Sequence, residues 1–172
     1  YAPMETAKML DVIKKRRSIR QYTQEAVSEA DVTALLEAAM AAPSANNTQP
    51  WEFIVVRRED LRQRLAETHQ WSDMCVDAPV VYVVCGHERR SDHWVEDTSA
   101  ATENLLLAVS GLDLGAVWIG IYPRPQRESH VRKVLGIPDE VRVLCLVAVG
   151  HPAESKPPHT KYDKSKVHYD GY

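Results

Sequence analysis

Two short runs of apolar residues constrain the fold of this chain most strongly. Residues 80–85 read VVYVVC, and residues 141–149 read VRVLCLVAV. A short run without regular polar alternation is typical of a strand that is covered on both faces. The two runs therefore predict buried strands within a sheet, with other elements packed against both sides of it.

Helical and strand patterns alternate along the rest of the chain. Met9, Leu10 and Ile13 follow helical spacing near the N-terminus. Elsewhere the patterns predict strands over residues 51–56 and 115–121 and helices over residues 59–67, 95–110 and 127–135. This alternation is typical of a layered α/β or α+β domain.

Capping residues predict where several helices begin and end. Ser28 is typical of an N-cap, and the helix that follows it should end near Pro43, because the residue before a proline avoids the α region. Gly111 and Gly136 follow two other predicted helices directly, and we expect both to be C-terminal caps.

Length and composition exclude several functional classes. The chain has 172 residues, which fits one domain, and 44% of them are apolar, as in globular proteins. A net charge of −3 argues against a nucleic-acid partner, because phosphate contacts require a basic face. No apolar run approaches the roughly 20 residues that span a bilayer, so no membrane partner is expected.

The cysteines and the first residues predict a cytoplasmic protein. Cys75, Cys85 and Cys145 are odd in number and no pair has C-x-x-C spacing, so neither a disulfide framework nor a zinc knuckle is indicated. Residues 1–8 contain no apolar signal core, and export is therefore not expected.

Histidines near acidic residues raise the alternative of a metal enzyme. They lie in two groups: His87 and His93 beside Glu88 and Asp92, and His151, His159 and His168 towards the C-terminus. Their spacing matches no zinc or iron pattern, and we interpret them as surface residues. No metal is expected.

Residues 16–20, RRSIR, form the first segment that could carry chemistry. Three arginines and a hydroxyl group lie within five residues at a predicted helix end. Guanidinium groups bind phosphate oxygens bidentately, and serine adds a neutral donor. Taken alone, the segment fits a solvated basic helix end at least as well, because cations there complement the helix dipole.

Residues 43–51, PSANNTQPW, form a loop of small residues and carboxamides. Asn46, Asn47 and Gln49 offer both donors and acceptors, as the edge of a heteroaromatic ring with C=O and N–H groups requires. The alternative is a turn whose asparagines satisfy its own backbone. Three carboxamides in four residues are more than such a turn needs.

Two further segments stand out. Residues 115–120, GAVWIG, place glycines beside an apolar strand, which lets backbone amides approach a flat ligand closely. The chain contains neither G-x-G-x-x-G nor a Walker A motif. Residues 151–172 are polar with three prolines, and such a tail should be disordered unless another chain supplies a surface for it.

In their order and spacing, four segments resemble the short form of the nitroreductase family of flavoproteins: RRSIR, APSANNTQPW, the WIG strand end and GHPAESKPP. The resemblance extends from residue 13 to residue 169. The resemblance implies an α+β fold, a three-layer α/β/α sandwich around a mostly antiparallel sheet. It implies a single FMN-binding domain over residues 1–172 in an intertwined homodimer. Residues 151–172 would then extend onto the partner subunit.

The resemblance also assigns roles to single residues. Arg16, Arg17 and Ser18 would contact the phosphate and ribityl chain of FMN. Arg20 would lie near N1 and the C2 carbonyl of the flavin ring, where a fixed cation stabilises the reduced anion. Lys161 matches a basic residue that meets the phosphate, with Lys156 and His159 nearby.

The carboxamide loop would complete the flavin site of the partner subunit through Pro43, Ser44, Ala45, Asn47 and Gln49. Trp118, Ile119 and Gly120 match the strand end whose backbone lies over the central ring, with an amide near N5. Some larger family members carry an acidic residue where Ile119 stands. Since that contact is through the backbone, we expect binding to persist and acceptor preference to differ.

The function implied is an FMN-dependent oxidoreductase with ping-pong kinetics. NADH or NADPH would deliver hydride to flavin N5, and a small acceptor such as a nitroaromatic, a quinone or a flavin would then be reduced in the same place. No catalytic side chain is expected, because the flavin carries the chemistry. The alternatives are a non-catalytic flavin-binding or storage module, and a specialised flavin enzyme (dehalogenase, dehydrogenase or flavin-fragmenting). A cysteine-dependent hydrolase is weaker, because the cysteines lie in or beside apolar runs.

Overall fold

A computed structural model of the chain describes residues 3–158 and 160–172, the first five of them by backbone alone. Within these residues four strands form one antiparallel sheet, in the order β1-β2-β4-β3. The strands are β1 (Trp51–Val56), β2 (Val80–Gly86), β3 (Gly115–Gly120) and β4 (Arg142–Gly150). The two apolar runs of the sequence are thus the central strands β2 and β4, and their predicted burial is confirmed.

Helices cover both faces of the sheet. They are α1 (Pro3–Lys15), α2 (Glu29–Met40), α3 (Glu59–Ala66), α4 (Trp94–Gly111) and α5 (Pro125–Leu135). Val81 and Val83 of β2 pack with residues of α3 and α5, whereas Tyr82 and Val84 pack with residues of α2 and α4. Alternate residues of one strand therefore enter two separate cores. The predicted three-layer α+β sandwich is confirmed.

The predicted helix ends are confirmed with one exception. Ser28 caps α2, because its hydroxyl accepts a hydrogen bond from the Asp31 N–H at 3.0 Å. Gly136 ends α5 in the left-handed conformation, with φ of 67°. The cap predicted at Gly111 is wrong: α4 runs through this residue, and Leu112 is the C-cap. The left-handed residue is Asp113, with φ of 56°, a conformation that Asp tolerates better than most residues.

Glu128 joins α5 to β4 through a buried ion-pair network. Its carboxylate, in a residue only 7% exposed, accepts hydrogen bonds from Arg142 Nε at 2.9 Å, Arg132 Nη2 at 3.2 Å and the Val143 N–H at 3.0 Å. Burial raises the pKa of Glu128, but the bonds from Arg142 and Val143 outweigh it and hold the pKa below its usual value.

Residues 151–157, the first part of the predicted tail, lie against residues 17–23 of the same chain. The Thr23 N–H donates to the His151 carbonyl at 2.9 Å, and the Ala153 N–H donates to the Gln21 carbonyl at 2.8 Å. From residue 160 to residue 172 every residue is exposed. The fully exposed segment therefore begins further along than residue 151.

Candidate functional site

The arginine segment, residues 16–20, runs along the open edge of β3. Ser18 forms an isolated parallel bridge with Ala116, and the Ile19 N–H donates to the Ala116 carbonyl at 2.9 Å. This approach requires glycine at position 115, because a β-carbon there would lie 2.7 Å from Ile19 Cγ2. The glycine predicted to permit close backbone approach thus admits the arginine segment of its own chain.

A basic cavity of about 270 Å³ opens at the start of β3. Its cationic side chains are Lys15, Arg16, Arg17 and Lys156. Lys156 Nζ donates to the Ser18 carbonyl at 2.5 Å, and Arg17 donates to the Pro157 carbonyl. The basic cavity therefore concentrates positive charge where the arginine segment meets residues 154–157, as the binding of an anionic group requires.

Glu154 fixes the backbone between this cavity and Arg20. Its carboxylate accepts the Arg20 N–H at 2.6 Å and pairs with Lys156 Nζ at 3.2 Å. The hydrogen bond from the Arg20 N–H, together with Lys156, holds the pKa of Glu154 below its usual value. Glu154 thus stays ionised at neutral pH and offsets part of the local positive charge.

A second cavity, of about 450 Å³, follows the rest of the same strand. We name it the β3 cavity. It is lined by Arg20 and residues 117–120, by residues of the loop after α3 and by Arg127. Among the lining residues that were not predicted are His69, Trp71 and Arg127. Arg127 Nη1 donates to the Gly120 carbonyl at 2.8 Å, and a β-carbon at Gly120 would meet no atom within 4 Å. The wall at Gly120 is therefore open to a ligand.

The structure thus brings most of the predicted residues to one edge of the sheet. Arg16 and Arg17 lie at the basic cavity, and Arg20 lies with Trp118, Ile119 and Gly120 at the β3 cavity. Lys161 is exposed and lines neither of these cavities. His159 lies outside the described residues.

The carboxamide loop lies apart from both cavities. None of residues 43–49 lines either of them. Asn46, Asn47 and Gln49 adopt left-handed conformations, with φ of 51°, 54° and 46°. The buried carboxylate of Asp97 holds this shape by accepting the Ala45 N–H at 2.8 Å. Left-handed residues other than glycine cluster at functional sites, since each costs energy that the surroundings must supply.

Sequence patterns did not reveal all of the residues at the cavities. Glu154 and Lys156 belong to the ESKPP segment near the C-terminus. That segment is part of the family resemblance and so pointed to these two residues. Trp71 and His69 lie in the loop after α3, and Arg127 lies in α5. Their local patterns indicate only ordinary secondary structure, so packing alone brings them to β3.

The structure also bears on the cysteines and on the other site types considered from the sequence. Within residues 3–158 and 160–172, no group of three or more His, Cys, Asp or Glu side chains is placed to hold a metal ion. Burial raises the pKa of Cys75 and of Cys85 to about 12, so both thiols are protonated at neutral pH and poor nucleophiles. No described helix is both long and apolar enough to cross a membrane.

Comparison with known proteins places this chain in a family. The sequence profile described as the Nitroreductase family matches residues 13–72 and 68–151. The chain belongs to the Nitroreductase family. This membership agrees with the order of the four sequence segments and with the sandwich fold.

Three relatives show how far the likeness extends. A protein of Archaeoglobus fulgidus, provisionally named an NADH dehydrogenase/NAD(P)H nitroreductase, is 44% identical over 151 residues, covering 86% of this chain and 87% of its own. The solved FMN-dependent nitroreductase of Clostridium difficile R20291 superposes with a TM-score of 0.91 at 29% identity, over 95% of this chain and 99% of its own. An iodotyrosine deiodinase of Thermotoga neapolitana is 30% identical over an alignment of 186 positions, which covers 93% of this chain and 96% of its own.

Proposed function

We propose that this chain is an FMN-dependent oxidoreductase, which transfers electrons from NADH or NADPH to a small organic acceptor in a ping-pong order. The observation that carries the proposal is the pair of cavities along β3, with cations at the basic cavity and Arg20 and Arg127 at the other. The FMN-dependent nitroreductase of Clostridium difficile and the NAD(P)H nitroreductase name of the Archaeoglobus relative support it.

The residues at each cavity fit the corresponding part of FMN. Arg16, Arg17 and Lys156 would hold the phosphate, and Ser18, which bridges to Ala116 of β3, would meet the ribityl chain. Arg20 would face the pyrimidine end of the ring. The open wall at Gly120 leaves room for a flat ligand beside the strand backbone.

FMN, when bound, supplies the hydride and electron transfer between nicotinamide and acceptor. The chain's own residues bind and orient it. The Arg20 guanidinium would stabilise the negative charge that the flavin gains on reduction. Glu154 holds the Arg20 backbone through its hydrogen bond with the Arg20 N–H. Trp118, Ile119 and Gly120 form the side of the cavity against which the ring would lie.

We further propose that the active unit is a homodimer with FMN at the interface. Exposed apolar residues on α1 and α2 support this assembly: Met9 (61% exposed), Leu10 (49%), Ile13 (47%) and Met40 (49%). Met9 lines one apolar groove with Ala38 and Leu107, and apolar surface of this kind is typical of an interface. In the dimer, residues 43–49 would meet the partner's flavin, and residues 160–172, including Lys161, would extend onto the partner as the last part of a domain that spans the chain.

A second candidate is reductive dehalogenation at the same FMN site. The whole-length likeness to an iodotyrosine deiodinase favours it over the other specialised activities of the fold. A flavin-binding module without turnover would share every residue of both cavities, and only an assay of electron transfer separates it from an enzyme.

The test begins with the purified protein and its colour. We expect a yellow protein whose flavin absorbance bleaches anaerobically with NADH or NADPH and returns on addition of a quinone or a nitroaromatic compound. Return of the absorbance with iodotyrosine alone would favour the dehalogenase. A yellow protein inert to both nicotinamides would indicate a binding module, and failure to take up FMN would refute the proposal. Sedimentation of the FMN-loaded protein as a monomer would refute the dimer.

A further inference from the structure

One hydrogen-bond donor in the β3 cavity has no partner. His69 is partly exposed and lines this cavity with Arg20, Gly120 and Arg127. Its Nε2 atom is buried and has no hydrogen-bond partner among the described residues. The other such atom, the Tyr82 hydroxyl, belongs to a residue that lines neither cavity. An unpaired buried polar atom is destabilising, so at a cavity wall it is a candidate to bind a ligand atom.

The opposite side of the imidazole is already engaged. The Trp71 backbone N–H donates to His69 Nδ1 at 3.1 Å. The fully buried Ser72 fixes the turn, since its hydroxyl lies 2.6 Å from the His69 carbonyl and accepts the His69 N–H at 3.1 Å. Because Nδ1 accepts a hydrogen bond from the Trp71 N–H, the neutral ring carries its own proton on Nε2. The unpaired atom is therefore a donor.

The surroundings favour the neutral ring. Desolvation lowers the pKa of His69 below its usual value, and the positive charge of Arg127 lowers it further, while Asp73 opposes this shift. At neutral pH the residue thus offers one neutral N–H beside the cations Arg20 and Arg127. This combination suits carbonyl oxygens that gain negative charge during a reaction.

We propose that His69 is a cofactor-binding residue, whose Nε2–H donates a hydrogen bond to a carbonyl oxygen on the pyrimidine edge of the bound flavin. The inference rests on the proposed function and deepens it. Nε2 is buried, so the inference requires that side chains at the cavity, such as the 67% exposed Trp71, move aside when the flavin binds. Because these carbonyl oxygens gain electron density on reduction, the bond stabilises reduced flavin more than oxidised flavin.

Two substitutions distinguish the hydrogen bond from Nε2 to the flavin from the hydrogen bond by which Nδ1 holds the Trp71 backbone. His69→Asn keeps an acceptor where Nδ1 lies, so it can still bind the Trp71 N–H, but it has no donor at the reach of Nε2. His69→Gln places an amide nitrogen near Nε2 and loses the acceptor for Trp71. The control is His130→Asn, because His130 lies on α5 and contacts the Arg64 carbonyl outside the cavity.

The measurements are the FMN dissociation constant and the two-electron reduction potential of the bound flavin, each on the FMN-loaded protein. We expect His69→Asn to weaken binding of reduced FMN about tenfold more than binding of oxidised FMN, which lowers the potential by about 30 mV. His69→Gln and His130→Asn should stay near the wild-type potential.

Equal reduction potentials in the wild type and in all three variants would overturn the role of His69 while leaving FMN binding intact. A larger shift in His69→Gln than in His69→Asn would also overturn it, because that order shows that the imidazole serves only to hold Trp71. A wild-type protein that takes up no FMN would instead overturn the proposed function, and this inference with it.

Discussion

Substitution of Gly115 by alanine tests whether β3 positions the arginine segment. The added β-carbon would lie 2.7 Å from Ile19 Cγ2 and 2.9 Å from Ile19 Cβ. Rotation of the Ile19 side chain cannot relieve the second contact, because Cβ is fixed to the backbone. The segment must therefore move away from the strand and stretch the 2.9 Å bond between the Ile19 N–H and the Ala116 carbonyl.

The expected cost combines two contributions. Overpacking of a closely packed contact costs about 1–3 kcal/mol, and a weakened hydrogen bond adds up to about 1 kcal/mol. A total of about 3 kcal/mol should lower the Tm of a chain of this length by roughly 6–12 °C. Because Arg16 and Arg20 move with the segment, FMN affinity should fall about tenfold or more, which corresponds to about 1.4 kcal/mol.

The assay compares Tm, from circular dichroism, and FMN titration for Gly115→Ala and Gly111→Ala. Gly111 is a matched control, because it lies within α4 and a β-carbon there would meet no atom within 4 Å. Gly111→Ala should raise the stability by about 0.5–1 kcal/mol through helix propensity. Sedimentation checks that all variants share one oligomeric state. If Gly115→Ala proves as stable as the control and binds FMN equally well, the contact with Ile19 does not position the segment.

Two other perturbations address the phosphate end and the buried network. Arg16→Ala combined with Arg17→Ala should weaken FMN retention during gel filtration strongly; unchanged retention would mean that the phosphate binds elsewhere. Glu128→Gln should cost about 3 kcal/mol, because it removes the buried charge that pairs with the partly buried Arg132 and Arg142. Since the pKa of Glu128 is lowered by folding, the carboxylate stabilises the protein above the unfolded value of about 4.3 and loses this effect as pH falls through the folded value. The variant's Tm should therefore depend less on pH below about 4.3 than the wild-type Tm, and equal slopes would contradict this assignment.

The strands could be predicted because the local sequence indicates their burial. The VVYVVC run has no polar face at all, so it required cover on both sides, and β2 has it. The error at Gly111 has the opposite cause. A glycine after an apolar helix is a general signal, but the backbone turns at Asp113, where an aspartate takes the left-handed conformation instead. Sequence alone does not show whether Gly111 or Asp113 makes the turn.

The site could be predicted only where the chain contributes a continuous segment. Arg16, Arg17 and Arg20 are close in sequence and lie together along β3. In contrast, His69 and Arg127 are 58 positions apart in the chain, and they meet at one cavity because α3 and α5 cover the same face of the sheet. No spacing rule connects two residues that are joined only through packing. The orphaned Nε2 of His69 is likewise a property of the folded chain.

The carboxamide loop is the part of the proposed site that its own subunit does not use. Left-handed conformations at residues other than glycine cost about 1–3 kcal/mol each, less for asparagine, and Gln49 adopts one without that advantage. The buried Asp97 holds the loop in this shape, yet the exposed Asn47 and Gln49 side chains face neither cavity of their own chain. A role in the partner's flavin site would account for a strained and exposed loop.

Mixed dimers test this role directly. One chain carries Asn47→Ala and Gln49→Ala, the other carries Arg16→Ala and Arg17→Ala, and two affinity tags select the pairs that contain one of each. If the loop acts across the interface, one site in each mixed dimer combines an intact loop with intact arginines, while the other carries both defects. FMN occupancy should then recover to about half of the wild-type value, although each parental homodimer retains little. If the loop acts within its own chain, every site in the mixed dimer carries one defect. Occupancy no higher than that of the parental homodimers would therefore refute the intersubunit site.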